Sequence, residues 1–487
     1  MEYKSTKNTV LSGLFWKFGE RITAQFVSLL VSIILARLLS LDDYGTVALI
    51  MVFITIANVF VSSGFGNALI QKKNADNLDF SSVFYINIAV SLVLYAVIFM
   101  CAPFVASFYK MPVLSPALRV LAIRIPVAAI NSIQHAYVSR NMLFKRFFWS
   151  TLFGTLLSGV VGIIMAYKGF GIWALVAQYL TNTCTDTVVL WFTVKWRPIL
   201  ACSFERAKPL IKYGWKLLVS NLIDTGYIQL RSLLIGKIYT SEDLASYNQG
   251  EKYPQVLSVN INSSIGSVLF PAMSQFQNDK NKIKEITRRS IQVCSYVIWP
   301  MMIGIAAVAE PLIRLLLTDK WLSCVPFLRI FCFTYGLYPI HTANLQAVNA
   351  LGRSDLSLKL EVIKKIMGFT VLAMTISLGP LAIAAGLIVT GILSTFINSF
   401  PNRKLLDYKY IEQLKDILPS FGLALFMGVC AYCISFFGMP DLITLIVQAA
   451  VGAAIYIGSS KILRFASFEY LYGMVKSMLA GRLGGKK

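Results

Sequence analysis

Histidine is nearly absent from this chain, with two in 487 residues, and carboxylates are scarce, 23 against 45 lysines and arginines. His135 and His341 have no second His or Cys at ligand spacing, so no metal centre is expected. The eight cysteines lie mostly within apolar stretches. Cys430-Ala-Tyr-Cys433 forms a CxxC, but i, i+3 packing along a helix accounts for it without metal or disulfide. There is no GxxxxGKS/T phosphate cradle, which argues against an ATP-driven pump within the chain. Gly/Ser-rich and Pro-rich linkers and low-complexity tracts are missing. No loop exceeds roughly 20 residues, too short for even a small soluble domain. The first apolar stretch carries Lys17, Glu20 and Arg21 and lacks a small-residue exit motif, so it does not read as a cleavable signal. The acidic doublet Asp42-Asp43 sits in a short turn and reads as a helix cap.

Apolar length is what the chain has in abundance. Hydrophobic residues make up 56% of it, and mean hydropathy is +0.66. Fourteen stretches are long enough to cross a bilayer: 11–37, 44–70, 80–108, 116–139, 147–167, 170–194, 213–238, 247–275, 290–318, 322–350, 356–378, 380–400, 416–438 and 441–463. Lipid leaves each backbone polar group to be satisfied within its own segment, so these predict helices. Basic residues alternate between loops: one set of loops and tails, with the span ends that adjoin them, holds 31 of the 45 Lys and Arg, the opposite set only Arg37, Lys110, Lys168, Lys237, Arg314 and Lys320. By the positive-inside rule both termini are expected in the cytoplasm. The net charge of +22 is then mostly topology, and nucleic acid is not needed to explain it. The sequence predicts an all-α polytopic membrane protein.

An internal repeat organises the spans. Trp16-Lys17 opens span 1 and Trp215-Lys216 opens span 7, while Ala36-Arg37-Leu38-Leu39-Ser40-Leu41-Asp42-Asp43 lines up with Gly236-Lys237-Ile238-Tyr239-Thr240-Ser241-Glu242-Asp243. Leu118-Arg119-Val120 in span 4 matches Leu328-Arg329-Ile330 in span 10, and Arg140 with Lys145 matches Arg353 with Lys359. Six spans, six spans and an added pair follow, and because six is even the halves form a parallel repeat. The expected divisions are an N-terminal lobe at 1–200, a C-terminal lobe at 201–412, a peripheral helix pair at 413–463 and a cytoplasmic interfacial tail at 464–487.

Several motifs carry a family resemblance. They are Ile34-Leu35-Ala36-Arg37-Leu38-Leu39 through Asp43-Tyr44-Gly45, Arg140 to Phe147, Leu269-Phe270-Pro271-Ala272-Met273-Ser274, Ala309-Glu310-Pro311-Leu312-Ile313 to Trp321, and Leu351-Gly352-Arg353-Ser354-Asp355. In these the chain resembles the Wzx-type polysaccharide flippases of the multidrug/oligosaccharidyl-lipid/polysaccharide exporter superfamily, in the lipopolysaccharide, colanic acid and teichuronic acid exporter branch. It departs at Thr318-Asp319-Lys320-Trp321, where the family usually begins with Gly, which bears on a local turn. The resemblance implies two six-helix lobes around a central cavity that opens alternately to either side, plus two peripheral helices. It also implies an undecaprenyl-diphosphate-linked oligosaccharide as cargo.

Ionisable groups inside spans cost roughly 2.5 to 3.5 kcal/mol each at mid-membrane on insertion scales, so they need partners or a wet surface. Lys17, Arg21, Gln25, Ser28 and Ser32 fall on one stripe of span 1 about 80° wide. Lys17 and Arg21 are candidates for the diphosphate; neutralisation of one by Glu20, or snorkelling of Lys17, is the structural alternative. Span 7 presents Ser220, Asn221, Asp224, Tyr227 and Arg231 on a face about 120° wide. Span 8 presents Glu251, Gln255, Ser258 and Asn262, with Lys252 beside them. Arg231, Lys252 and Arg124 join the diphosphate candidates, and Gln25, Asn221, Gln255 and Asn262 are the sugar candidates. Asp224, Asp186 and His341 are the ion-coupling candidates; Asp224 equally suits a buried partner for a Lys or Arg of the other lobe, and for Arg124 and Asp186 a buried interhelical ion pair is the favoured reading. Pro126, Pro254, Pro271, Pro300 and Pro339 would permit bends.

The expected function is translocation of that cargo from the inner to the outer leaflet of a bacterial cytoplasmic membrane, by alternating access and without cofactor or catalytic residues. Membrane lipid is the expected partner, with H+ or Na+ and polysaccharide polymerase machinery as further candidates. A cation-coupled drug exporter would want acidic cavity residues instead. An integral membrane polymerase or glycosyltransferase would want a large extramembrane catalytic loop, for which the spans leave no room.

Overall fold

A computed structural model describes residue 19 and residues 23–62, 66, 69, 70, 72, 75–141 and 143–484. The described helices are α1 (Thr23–Leu38), α2 (Leu41–Ser62), α3 (Asn77–Tyr109), α4 (Leu114–Leu121), α5 (Arg124–Arg140), α6 (Phe144–Tyr167), α7 (Ile172–Thr193), α8 (Phe204–Ile238), α9 (Ser241–Ser274), α10 (Lys280–Ala307), α11 (Ala309–Leu317), α12 (Val325–Gly336), α13 (Tyr338–Ala350), α14 (Ser354–Thr375), α15 (Pro380–Leu405), α16 (Tyr410–Cys433), α17 (Asp441–Ile462) and α18 (Ala466–Gly484). The described residues contain no strand. Among the described residues each expected span falls on one helix or on two consecutive ones: span 4 on α4 and α5, span 9 on α10 and α11, span 10 on α12 and α13. Nine of these segments, among the described residues, are long enough and contain an apolar stretch sufficient to cross a membrane. The other five, α1, α7, α8, α9 and α14, are short or interrupted by polar residues.

The prolines explain how these helices keep their backbone satisfied. A helical proline leaves the carbonyl four residues before it without a donor, and in lipid that carbonyl must find another. Pro103 lies inside α3, and the Phe99 carbonyl it strands accepts from Arg119 Nε at 3.1 Å. Pro300 lies inside α10, and the Tyr296 carbonyl accepts from the Tyr456 hydroxyl at 2.8 Å. Pro339 begins α13, and the Tyr335 carbonyl accepts from buried Ser258 at 3.1 Å. Of the five prolines expected to permit bends, Pro126 and Pro339 open the second helix of a split span, whereas α9 runs on through Pro254 and Pro271, and α10 through Pro300.

The repeat is visible in the caps. Ser40 Oγ donates to Asp43 at 2.6 Å and accepts from the Asp43 amide at 3.1 Å. Two hundred residues later, Thr240 and Asp243 do the same at 2.8 and 3.1 Å. These reciprocal pairs anchor the first turns of α2 and α9. Asp76 accepts from the Asp79 amide at the start of α3, and Asp279 from the Lys282 amide at the start of α10. The two caps at the α1–α2 and α8–α9 turns also meet: Asp42 accepts from Ser241, and a Cβ on Gly45 would lie 1.8 Å from the Ser241 carbonyl oxygen. The glycine of Asp43-Tyr44-Gly45 is therefore required by close backbone approach.

The chain forms two compact units, Met1–Ala245 and Ser246–Lys487. Helix α8 belongs to the first of these units because it packs on α2 and α3. Gly236 lies against Leu49, Tyr109 donates to the Leu233 carbonyl at 3.3 Å, and Lys237 donates to the Phe108 carbonyl. At the basic-loop end of the first unit, Phe80, Phe84, Ile133, Val138 and Trp196 form an apolar core. Arg140 closes it by donating to the Leu69 carbonyl at 2.7 Å, and Lys72 meets fully buried Asp79 at 2.6 Å.

In the second unit the added pair, α16 and α17, docks on α10. Trp299 packs against Phe421, and Gly428 admits Ile303. Asp416, almost fully buried, accepts from Arg288 at 2.8 Å, Gln292 at 2.7 Å and the Tyr408 hydroxyl at 2.7 Å.

A candidate binding cavity in the first unit

Three helices of the first unit surround a cavity of about 490 Å³, within the range of small-molecule sites. Helix α5 lines it with Arg124, Ala128, Asn131, Ser132, His135, Ala136 and Ser139, a single face at i, i+4, i+7, i+8 and i+11 spacing. Helix α7 adds Asn182, Thr183 and Asp186, one turn of one face, and α2 adds Asn58, Val61 and Ser62. The break between α4 and α5 sets Arg124 at the head of its helix, where its side chain leaves the apolar register of α4.

The charged groups do not pair with each other. Arg124 Nε donates to Thr183 Oγ1 at 2.6 Å, and the guanidinium lies 5.7 Å from the Tyr179 ring centroid. Among the described residues no carboxylate forms an ion pair with Arg124. Asp186 instead accepts from Asn131 Nδ2 and lies 3.2 Å from His135 Nε2. His135 stacks on Phe147 at 4.7 Å, and its side chain is 43% exposed, so its free edge faces the cavity. The alternative of a direct Arg124–Asp186 ion pair is thus replaced by two separate polar centres on one wall. Chemically, the cavity offers one guanidinium, several amides and hydroxyls, and one histidine–carboxylate pair.

The second unit holds a counterpart without the charge. Pro339, Asn344 and Arg353 each follow Pro126, Asn131 and Arg140 by 213 residues. Asn344 donates to Gln413 of α16 at 2.9 Å and accepts from Asn402 at 2.7 Å. Where Asn131 meets a carboxylate, Asn344 meets amides.

The other sequence candidates are dispersed. Lys17 and Arg21 lie outside the described residues. Gln25 is half-buried on α1, Asn221 half-buried on α8, and Asp224 exposed on α8. Arg231 is buried and turns to its own helix, donating to Tyr227 at 3.0 Å with the ring centroid 4.9 Å away. The α9 stripe is largely spent on α12 and α13: Tyr335 donates to Glu251 at 2.6 Å, and Asn262 donates to Ser258 at 3.2 Å and accepts from Thr342 at 3.1 Å. Gln255 is exposed and Lys252 half-buried. His341 sits in the second unit with Asn398 at 3.4 Å and Tyr338 edge-on. Asn131, His135, Asn182 and Thr183 are not among the site residues expected from sequence. Following the face of Arg124 along span 4 would have found the first two.

The described residues thus form an all-α polytopic membrane protein with a charged, amide-rich cavity inside one of its two compact units. The chain is a member of the polysaccharide biosynthesis protein family, which it matches over residues 34–326. It is 24% identical over 304 residues to the succinoglycan biosynthesis transport protein ExoT of Rhizobium meliloti, covering 62% of this chain and 62% of that relative, slightly under two thirds. It is 22% identical over 460 residues to the teichuronic acid biosynthesis protein TuaB of Bacillus subtilis, covering 93% of this chain and 95% of that one. Its fold is that of a solved structure of the lipid II flippase MurJ in an inward closed conformation, with a TM-score of 0.72 and 14% identity over 93% of this chain and 99% of the other.

Proposed function

We propose that this protein flips an undecaprenyl-diphosphate-linked oligosaccharide from the inner to the outer leaflet of the bacterial cytoplasmic membrane, by alternating access, for surface polysaccharide synthesis. The observation that carries the reading is Arg124, a cation that forms no ion pair with a carboxylate among the described residues, in a cavity lined by amides, hydroxyls and the His135–Asp186 pair. A guanidinium takes a phosphate through paired N–H donors, and Asn131, Asn182, Ser132 and Ser139 suit sugar hydroxyls. Lys17 and Arg21 would meet the diphosphate first, with Arg231 and Lys252 as further cations and Gln25, Asn221, Gln255 and Asn262 as further sugar contacts. The polyprenyl tail stays in lipid. An anionic head leaving a negative interior gains about 2.3 kcal/mol per charge per 100 mV. The His135–Asp186 pair is the place in this cavity for proton exchange; Asp224 and His341 are alternatives elsewhere in the chain. The family relatives and the fold support this reading, and the charge of the loops supports a cytoplasmic location for both termini.

The test is a deletion strain complemented with Arg124→Ala. Surface polymer should be lost, the lipid-linked intermediate should accumulate on the inner leaflet, and the variant should still be inserted in the membrane. Normal polymer with the inserted variant would refute the assignment of Arg124, and an unchanged lipid-linked pool in the deletion strain would refute the flippase reading.

A further inference from the structure

At the basic-loop end of the second unit, α10, α17 and α18 meet. Three cations of α10 are already paired: Arg288 with Asp416 at 2.8 Å, Lys282 with Glu285 at 2.8 Å, and Lys284 with Glu412 at 3.7 Å. Arg289, exposed on α10, enters no ion pair among the described residues. Its guanidinium lies 3.9 Å from the Tyr470 ring centroid on α18. Stacking fixes the guanidinium plane while leaving its N–H edges open to an anion.

The adjoining turn has the same character. Lys461 and Arg464 are both exposed, outside any ion pair among the described residues, and Ile462 and Leu463 between them are 81% and 62% exposed. Arg464 has φ of 50°, which turns the chain from α17 into α18. Phe465 then packs 6.2 Å from Tyr296, and Phe468 stacks on Tyr472 at 6.0 Å. In α18 the only carboxylate is Glu469. Cations alternating with bare apolar and aromatic side chains fit neither a free anion nor an acidic peptide, because the apolar groups would stay in water. They fit the boundary between head groups and acyl chains.

We infer that this corner binds an anionic phospholipid, its phosphate held by Arg289 on the Tyr470 ring, with Lys461 and Arg464 as further cations of the same head-group layer and its acyl chains against Ile462 and Leu463. Such a lipid would bridge the added helix pair and the terminal helix to α10. It is a site separate from the cavity, and its test does not depend on transport.

The experiment uses the full-length protein in neutral detergent. Retention of phosphatidylglycerol and of phosphatidylcholine is compared by native mass spectrometry. The wild type should retain phosphatidylglycerol in preference. Arg289→Gln should weaken that retention about fivefold, the effect of one cation near a lipid surface. Tyr470→Leu should weaken it less, while Tyr470→Phe, which keeps the ring, and Arg403→Gln, an exposed arginine on α15, should leave it unchanged. Equal retention of the two lipids by the wild type would overturn the site. So would full retention by Arg289→Gln, or an equal loss in Arg403→Gln, which would mean diffuse charge.

Discussion

The hydroxyl of Tyr456 on α17 donates to the Tyr296 carbonyl on α10 at 2.8 Å, supplying the donor that Pro300 lacks. Removing that hydroxyl strands a buried carbonyl, which costs about 1 to 3 kcal/mol. Tyr456→Phe is therefore expected to lower the thermal stability of the full-length protein. In a Pro300→Ala background the helix recovers its own amide donor, so the same substitution should cost little. A double-mutant cycle measures this coupling; equal losses in both backgrounds would show that the phenol acts through packing alone.

Thr183 holds Arg124 by a charge-assisted hydrogen bond at 2.6 Å, the kind that contributes about 1.5 to 3 kcal/mol. Thr183→Val keeps the side-chain shape and removes the acceptor, so the guanidinium loses its orientation but not its charge. Export measured as surface polymer per inserted protein should fall about tenfold or more, and less than in Arg124→Ala. Wild-type export from Thr183→Val would detach Arg124's position from transport.

The helices were legible because lipid enforces them: an apolar run of sufficient length has few other structures open to it. The cap at Asp42-Asp43 was legible because Ser40 and Asp43 have the spacing of a reciprocal cap. Partners across helices were not. Nothing local to Pro300 names Tyr456, 156 residues on, and nothing local to Arg124 names Thr183. The polar stripes of α8 and α9 read as ligand-facing, yet Glu251 and Asn262 meet other helices of their own unit and Arg231 meets Tyr227. Periodicity gives the face a residue occupies but not what covers that face. His135 looks isolated in sequence because its partner, Asp186, lies on another span.

Gly45 makes a test of backbone approach. A methyl group there would sit 1.8 Å from the Ser241 oxygen and 2.4 Å from its carbon, and backbone cannot yield as a flexible side chain can. Gly45→Ala should cost at least the 1 to 3 kcal/mol typical of overpacking, on the order of a fold-threatening loss. Gly226→Ala, in helix α8 where an added methyl would have nothing within 4 Å, should be neutral or slightly stabilising, because alanine is the better helix former. Thermal unfolding of the two variants in nanodiscs compares them directly; a tolerated Gly45→Ala would mean the turn between the repeats can open.

Asp76 links pH to the stability of the first unit. It caps α3 and pairs with Arg206 of α8, and the Asp79 amide first, then the Arg206 guanidinium, hold its carboxyl below the usual carboxylate range. A carboxyl held below its unfolded value stabilises the fold above the unfolded pKa, about 3.9, and that contribution disappears as pH falls through the lower folded value. Asp76→Asn keeps a capping side chain and removes the charge. At neutral pH the variant should melt below the wild type, by a small margin because the pair is half-exposed and screened. Lowering the pH from about 5 toward 3 should narrow the difference. A gap that stays constant across this range would assign the loss to the cap geometry and not to the charge on Asp76.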